Sequence, residues 1–250
     1  MIKRLLCTVL MITALWMLWA CQKDLPTATV AAPAPASHVT APTTEPTIPE
    51  SITRDLIKTT VSKDHVPEFL ALLGDVDASN TLLSGCVFNA ETCFNVTPPQ
   101  VAAETDIKIF KFSDSCVSLI LLDGKIYMPC ESFGGFGLVN AVPCDFDSDG
   151  NQDLLLASSW GSGIHRSIIS VFNSVTKEIT EVYNTIDSSD PDRDLIVMAD
   201  STASGVVYYV CTVDITLDYE AFNGADLSYM VTGMVGRIES VNGIPEFYAY

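Results

Sequence analysis

The sequence predicts an all-β fold, a propeller-like or sandwich arrangement of antiparallel strands preceded by one or two short helices. Three observations carry this expectation. From about residue 82 onward, short runs rich in Val, Ile, Tyr and Phe alternate with Gly, Asn and Asp. A hairpin signal, Asp123-Gly124, stands between two of those runs. Apolar residues at helical spacing are confined to the stretch between residues 50 and 74. Many strands at short spacing with turn residues between them belong to sandwiches, barrels and propellers.

The candidate strands begin at Ile107 (IKIFKF), Cys116 (CVSLILL), Lys125 (KIYMP), Asp153 (DLLLAS), Ser167 (SIISVF), Glu178 (EITEVY), Asp194 (DLIVMA), Val206 (VVYYVCTV) and Tyr229 (YMVTGMVGRIESV). Asp-Gly between two such runs is a strong short-range hairpin signal. A three-residue loop at Leu122–Gly124 places Cys116 opposite Cys130 and permits a disulfide, whereas a two-residue loop shifts the register and separates them. The stretch DLLLA at Asp153 recurs as DLIVMA at Asp194, which suggests a repeat near the length of a propeller blade. Two ordinary strands each opened by Asp give the same pattern. Ahead of the strands, Phe69, Leu72 and Leu73 follow Pro67 at helical spacing and Gly74 acts as a stop. Ile52 and Leu56 suggest a second short helix, and His65 reads as a cap or surface residue.

Residues 1–20 read as a signal peptide. Lys3 and Arg4 precede an apolar run from Leu5 to Ala20, and a small residue stands before Cys21. The run is short for crossing a hydrocarbon core of about 30 Å. Residues 21–50 are dominated by Pro, Thr and Ala, which bury too little apolar surface to offset ordering entropy. That segment reads as an extended tether, and residues 51–250 as the folded domain.

The formal net charge is −18, and loss of Lys3 and Arg4 with the signal makes it more negative by two. Such a surface argues against nucleic acid, whose binding rests on Lys and Arg neutralising phosphates, and it favours cations. With Cys7 removed and Cys21 set aside, Cys86, Cys93, Cys116, Cys130, Cys144 and Cys211 form an even set. Outside the cytoplasm such a set is expected to form disulfides, and six cysteines allow 15 pairings.

The sharpest motif is Asp145-Phe146-Asp147-Ser148-Asp149-Gly150-Asn151-Gln152-Asp153. Carboxylates at alternating positions of a tight loop converge, and Gly150 permits the turn that wraps them around one ion. Crowded acids repel one another without a cation. Ca²⁺, a hard ion taking six to eight oxygens, suits such a set. An EF-hand needs a bidentate Glu at its twelfth position, where Leu156 stands, followed by strand-like sequence.

The Ala20-Cys21 junction resembles the lipobox of bacterial lipoproteins, which implies diacylation of Cys21 and a membrane contact through that lipid alone. The Asp-rich loop resembles the FG-GAP or VCBS type of repeat seen in integrin-like propeller blades and bacterial surface proteins. The likeness covers about residues 133–173: Phe133-Gly134-Gly135-Phe136-Gly137, the DFDSDGNQDLLLA loop and strand, Trp160-Gly161-Ser162-Gly163 and the strand SIISVFN. It implies Ca²⁺ as cofactor, with Asp145, Asp147, Asp149, Asn151 and Asp153 as ligands. The chain departs from the family by holding one intact loop. The aligned segment Asp187–Asp194 lacks the glycine and the first two carboxylates, and a full propeller of large blades exceeds the remaining length.

No Walker loop, dinucleotide fingerprint or HExxH motif is present. Ser162 and His165 stand near each other, but such a pair needs an orienting acid and an oxyanion hole, and the adjacent glycines more simply make a turn. Trp160 is a candidate contact for a sugar or protein ligand. The functional expectation is an exported, lipid-anchored, Ca²⁺-binding surface module for a protein or carbohydrate partner. A structural lipoprotein with a stabilising ion is the alternative, and a hydrolase with an unrecognised site a further one.

Overall fold

In chain order the elements are β1 (Ile57–Lys58), α1 (Val66–Gly74), β2 (Cys93–Asn95), α2 (Pro99–Glu104), β3 (Lys108–Phe112), β4 (Ser118–Leu122), β5 (Lys125–Tyr127) and β6 (Gly137–Cys144). They continue as β7 (Asp153–Trp160), β8 (Arg166–Phe172), β9 (Ile179–Asn184), β10 (Asp194–Thr202), β11 (Gly205–Leu217), β12 (Leu227–Val241) and β13 (Ile244–Ala249). This computed structural model describes residues 48–50, 52–53, 55–74, 88–130, 134–161, 166–185, 194–203, 205–217 and 224–250. All of them fall within the compact unit Thr44–Tyr250.

Among the described residues every pairing between named strands is antiparallel, and the strands sort into three sheets. The first is the meander β2-β3-β4-β5 and the second the meander β6-β7-β8-β9. The third runs β1-β12-β11-β10, with β13 also on β12. None closes into a barrel. The all-β expectation holds, and the architecture is a stack of sheets.

Why the second sheet lies in the middle can be read along β7. Successive side chains of a strand point to opposite faces. Leu154 and Leu156 join Val96, Ile109, Ile120 and Leu122 of the first-sheet region. Leu155 and Ala157 join Leu195, Val197, Val210 and Ile238 of the third sheet. Both faces of β7 are therefore buried, and its sequence is a continuous apolar run rather than an alternation. Each of these leucines contributes roughly 1.5–3 kcal/mol by leaving water.

The first sheet alternates in the same way. Ile109 faces the second sheet, while Phe110 and Phe112 face α1, where Val66, Phe69 and Leu73 cover them. The rings of Phe69 and Phe110 stack at 4.0 Å. The expected helix ending at Gly74 is thus present, and the His65 carbonyl accepts from Phe69 N at 3.0 Å at its start. Ile52 and Leu56 do not form a second helix. Ile52 packs on the third sheet with 3% exposure, Leu56 is 56% exposed, and the chain instead enters β1. The second short helix is α2, opened by Pro99 in its first turn and anchored by the buried Val101.

The segment after β1 ties the last sheet to the first. Ile57 pairs with Tyr229 on β12. Thr59 N donates to Leu227 O at 2.8 Å, and Ser62 exchanges backbone hydrogen bonds with Asn95 of β2 at 2.9 and 3.0 Å. Among the described residues no helix is long and apolar enough to cross a membrane.

Two further expectations need correction. The hairpin at Asp123-Gly124 takes the two-residue loop: Leu122 pairs with Lys125 and Ile120 with Tyr127. Both turn residues have positive φ, 53° and 68°, as a type I′ turn requires. Continuing that register carries Cys130 opposite Val117 rather than Cys116, and the Cys116–Cys130 disulfide is not formed. Cys93, Cys116, Cys130, Cys144 and Cys211 all lie outside disulfides, and Cys86 falls outside the described residues. Cys93, Cys144 and Cys211 are buried in three different clusters, where each packs as a small apolar side chain. Burial raises the Cys93 and Cys211 thiols to about 12.

The second correction concerns the repeat. Asp153 and Asp194 both open strands, but β7 is the second strand of its sheet and β10 an edge strand of another. The recurrence does not relate equivalent positions. The two strands face one another through Leu155, Ala157, Leu195 and Val197.

Candidate metal centre

The β6–β7 hairpin is closed by the pair Cys144 and Asp153, so residues 145–152 form its loop. The loop folds onto its own carboxylates. Gly150 N points to Asp145 Oδ2 at 3.3 Å, Asp149 N to Asp147 Oδ1 at 3.3 Å, and Asn151 N to Asp149 Oδ1 at 2.7 Å. Ser148 and Gly150 have φ of 57° and 84°. A Cβ on Gly150 would meet nothing within 4 Å, so glycine serves the backbone conformation there rather than space.

This folding gathers Asp145, Asp147 and Asp149, each offering one oxygen within 4.8 Å of the others. Ligands on opposite sides of a Ca²⁺-sized ion are about 5 Å apart at most, so the group could hold a metal ion. Asp147 and Asp149 are exposed and Asp145 is half-buried. Asp145 Oδ1 is buried without a hydrogen-bond partner. A buried carboxylate oxygen left unpaired is unfavourable by about 1–3 kcal/mol or more, and a cation is the simplest group to satisfy it.

The two remaining ligand candidates sit differently. Asn151 is exposed, and its backbone N–H is turned into the loop. Asp153 is 3% exposed. Its Oδ1 accepts from Ser174 N at 2.6 Å and its Oδ2 from Asn173 Nδ2 at 3.1 Å. The same Asn173 amide donates to Asp147 Oδ2 at 3.2 Å, bridging the two carboxylates. Burial lifts the Asp153 pKa; the Ser174 hydrogen bonds oppose the rise, and Asp147 and Asp149 add to it. Asn173 cannot turn its oxygen inward, because Oδ1 accepts from Val175 N at 2.9 Å and Thr176 N at 2.7 Å.

Asn173 and Ser174 were not legible as site residues in the sequence. They belong to the β8–β9 turn, and only the meander order brings that turn to the same end of the sheet as the Asp loop. The other sheets reach this end too. Lys177 of the β8–β9 turn pairs with Asp123 of the β4–β5 turn at 2.7 Å. Ser240 of β12 donates to Phe146 O at 2.5 Å, and a Cβ on Gly243 would lie 3.6 Å from Asp147 Cα. The Asp loop therefore touches the β8–β9 turn and the third sheet, and the first sheet is linked to it only through the Lys177–Asp123 pair. Beside it lies a cleft of about 530 Å³ lined by Asp145, Phe146, Gln152, Gln100, Tyr208 and Ser240, among others.

Trp160 does not share this site. It ends β7, about 23 Å from Asp153 at a strand rise of about 3.3 Å per residue. The ring is half-buried, its Nε1 has no hydrogen-bond partner, and the Arg166 guanidinium lies 5.8 Å from the ring centre. Cys21, Ser162, His165 and the degenerate loop through Asp192 lie outside the described residues.

No family model, no curated protein and no solved structure matches this chain.

Proposed function

We propose that the chain is an exported protein, anchored through a lipid on Cys21, whose β domain binds Ca²⁺ at the Asp loop and contacts a protein or carbohydrate at the cell surface. The unpartnered Asp145 Oδ1 inside a group of three carboxylates is the observation that carries the metal reading. The donor set is all oxygen, which selects hard cations. A flexible loop with several carboxylates suits Ca²⁺ better than Mg²⁺, which demands near-ideal octahedral geometry. The resemblance to FG-GAP and VCBS repeats supports the same choice.

The ligand-binding half of the proposal rests on the cleft beside Asp145. Its volume falls in the range of small-molecule sites, and its wall mixes the amides of Gln100 and Gln152 with the ring of Tyr208. Amides and an aromatic face suit a polyhydroxylated ligand. A second reading, in which the ion only stabilises, is favoured by the contacts of the loop with the β8–β9 turn and the third sheet. Titration of the protein with Ca²⁺ and Mg²⁺, followed by a glycan array with Ca²⁺ or chelator, separates them. Saturable Ca²⁺ binding with chelator-sensitive glycan capture supports the full proposal. Ca²⁺ binding with capture absent or indifferent to chelator leaves the stabilising role, and no Ca²⁺ binding removes the metal. Cys21→Ser is expected to move the protein out of the membrane fraction or leave the signal uncleaved, and an acylated membrane form in that variant refutes the anchor.

A further inference from the structure

The inner face of the first sheet holds one side chain that does not belong in a core. Lys111 follows Ile109 on the face toward the second sheet, in register with Ser118, and is 1% exposed. Its ammonium donates to Leu138 O at 3.1 Å. Burial lowers its pKa to about 8, and the charges that act on it from nearby are the thiols of Cys116 and Cys130 rather than a carboxylate. Burial raises the Cys116 thiol in turn, which keeps that group neutral at ordinary pH. A buried cation without a counter-charge is unfavourable.

Lys111 and Leu138 line a cavity of about 150 Å³ between the sheets, with Lys58, Thr60 and Pro99 exposed at its rim. The chain has 31 acidic and 13 basic residues, yet this lining contains two lysines and no carboxylate. The local charge is the reverse of the whole. The other polar neighbours are committed elsewhere. The Asn140 amide exchanges hydrogen bonds with Val197 at 2.6 and 3.0 Å, and the Thr59 hydroxyl donates to Leu227 O at 2.9 Å. What remains is the buried Lys111 among apolar walls, with Lys58 and Thr60 at the exposed rim.

We propose that this cavity binds a small organic monocarboxylate, its carboxylate on Lys111 and its short hydrocarbon tail among Val96, Ile109, Val139 and Tyr229. Size sets the class: a cavity of about 150 Å³ accepts a molecule of benzene's dimensions, about six heavy atoms, as in butyrate. Phosphate or sulfate fits poorly, since either wants several converging donors and the interior supplies Lys111 alone, with Lys58 and Thr60 out at the exposed rim. The site shares no residue with the Asp loop and does not depend on the Ca²⁺ reading.

Calorimetric titration of the full-length chain with butyrate, butyramide and octanoate tests it. Butyrate is expected to bind saturably at one site. Butyramide, isosteric but uncharged, should bind at least about tenfold more weakly, since a charge-assisted contact is lost. Octanoate, too long for the chamber, should also be weaker. K111M should lose butyrate binding while melting no lower than wild type, because it removes a buried charge and keeps the volume. K58A, at the rim, should stay within about threefold of wild type, as screened exposed charges contribute little. No saturable butyrate binding, equal binding of butyrate and butyramide, or a folded K111M that retains the affinity overturns the proposal. The comparison of butyrate with butyramide uses the wild-type chain and stands even if K111M fails to fold.

Discussion

Replacing Asp147 by alanine separates a metal centre from an ordinary acidic turn, because the two readings assign opposite consequences to the same carboxylate. Without a metal, the loss is small. Asp147 accepts from Asp149 N at 3.3 Å and from Asn173 Nδ2 at 3.2 Å, two long bonds at an exposed side chain worth roughly 0.5 kcal/mol each. Against that, its neighbours Asp145 and Asp149 lie within 4.8 Å, and a like charge at that separation in water is unfavourable by about 0.9 kcal/mol before screening. The two effects nearly cancel, so the chelator-treated variant should melt close to wild type. With Ca²⁺ at a hundredfold excess over Kd, the wild-type protein gains about 2.7 kcal/mol, a rise of about 5–10 °C for a domain of this size. The variant should lose most of that rise. Differential scanning calorimetry in chelator and in graded Ca²⁺ reads both arms. A wild-type Tm indifferent to millimolar Ca²⁺, or a variant that responds as fully as wild type, refutes the reasoning.

Four further outcomes follow from the structure. Asn173→Asp keeps the acceptor for Val175 and Thr176 but turns the bridging donor toward Asp147 and Asp153 into a third negative charge. It should destabilise the chelated protein by about 1–3 kcal/mol, measured by denaturant unfolding, with part of the loss recovered in Ca²⁺. Gly137→Ala places a Cβ 2.0 Å from Cys116 O at φ 63° and should lower stability by roughly 3 kcal/mol or abolish folding. Gly124→Ala, at φ 68° with nothing within 4 Å, should lose only about 1 kcal/mol. Asp153 has a folded pKa raised above its ordinary 3.8, so the native state holds the extra proton between the two values and stability falls as pH rises through that window. In chelator, Tm should therefore gain on mild acidification relative to Asp153→Asn, and in Ca²⁺ the trend should reverse as protons compete with the ion.

How far the sequence reveals this molecule depends on how local each signal is. β7 is legible because both of its faces are buried, which leaves Leu154–Ala157 as an unbroken apolar run. β6 is not, although it lies beside β7. As an edge strand it tolerates Pro143, and Gly137 and Asn140 interrupt its pattern. β13 escapes notice for a similar reason: it opens with Ile244-Pro245 at an edge, and most of it is exposed. The Asp123-Gly124 hairpin is evident in sequence, but its register hangs on the φ of two residues. The disulfide expectation failed at that point.

The candidate metal site shows the same division. Three of its carboxylates are neighbours in sequence, and alternation alone brings them together. Asn173 and Ser174, which hold Asp153, come from a turn twenty residues away, and Lys177 links that turn to Asp123 in another sheet. Those contacts are products of sheet order, which no local pattern encodes. They also bear on what a bound ion would do. Because the β8–β9 turn and the third sheet touch the loop, and Lys177 ties that turn to the first sheet, a cation on Asp145 would relieve its unpaired oxygen and, through Asp147 and Asn173, brace the junction between the sheets. A hinge confined to the β6–β7 loop would leave the far sheets untouched by chelator. A junction predicts that amide protection in β4, β8 and β12 falls along with the loop when Ca²⁺ is withdrawn, and hydrogen exchange resolves which of the two the protein has built.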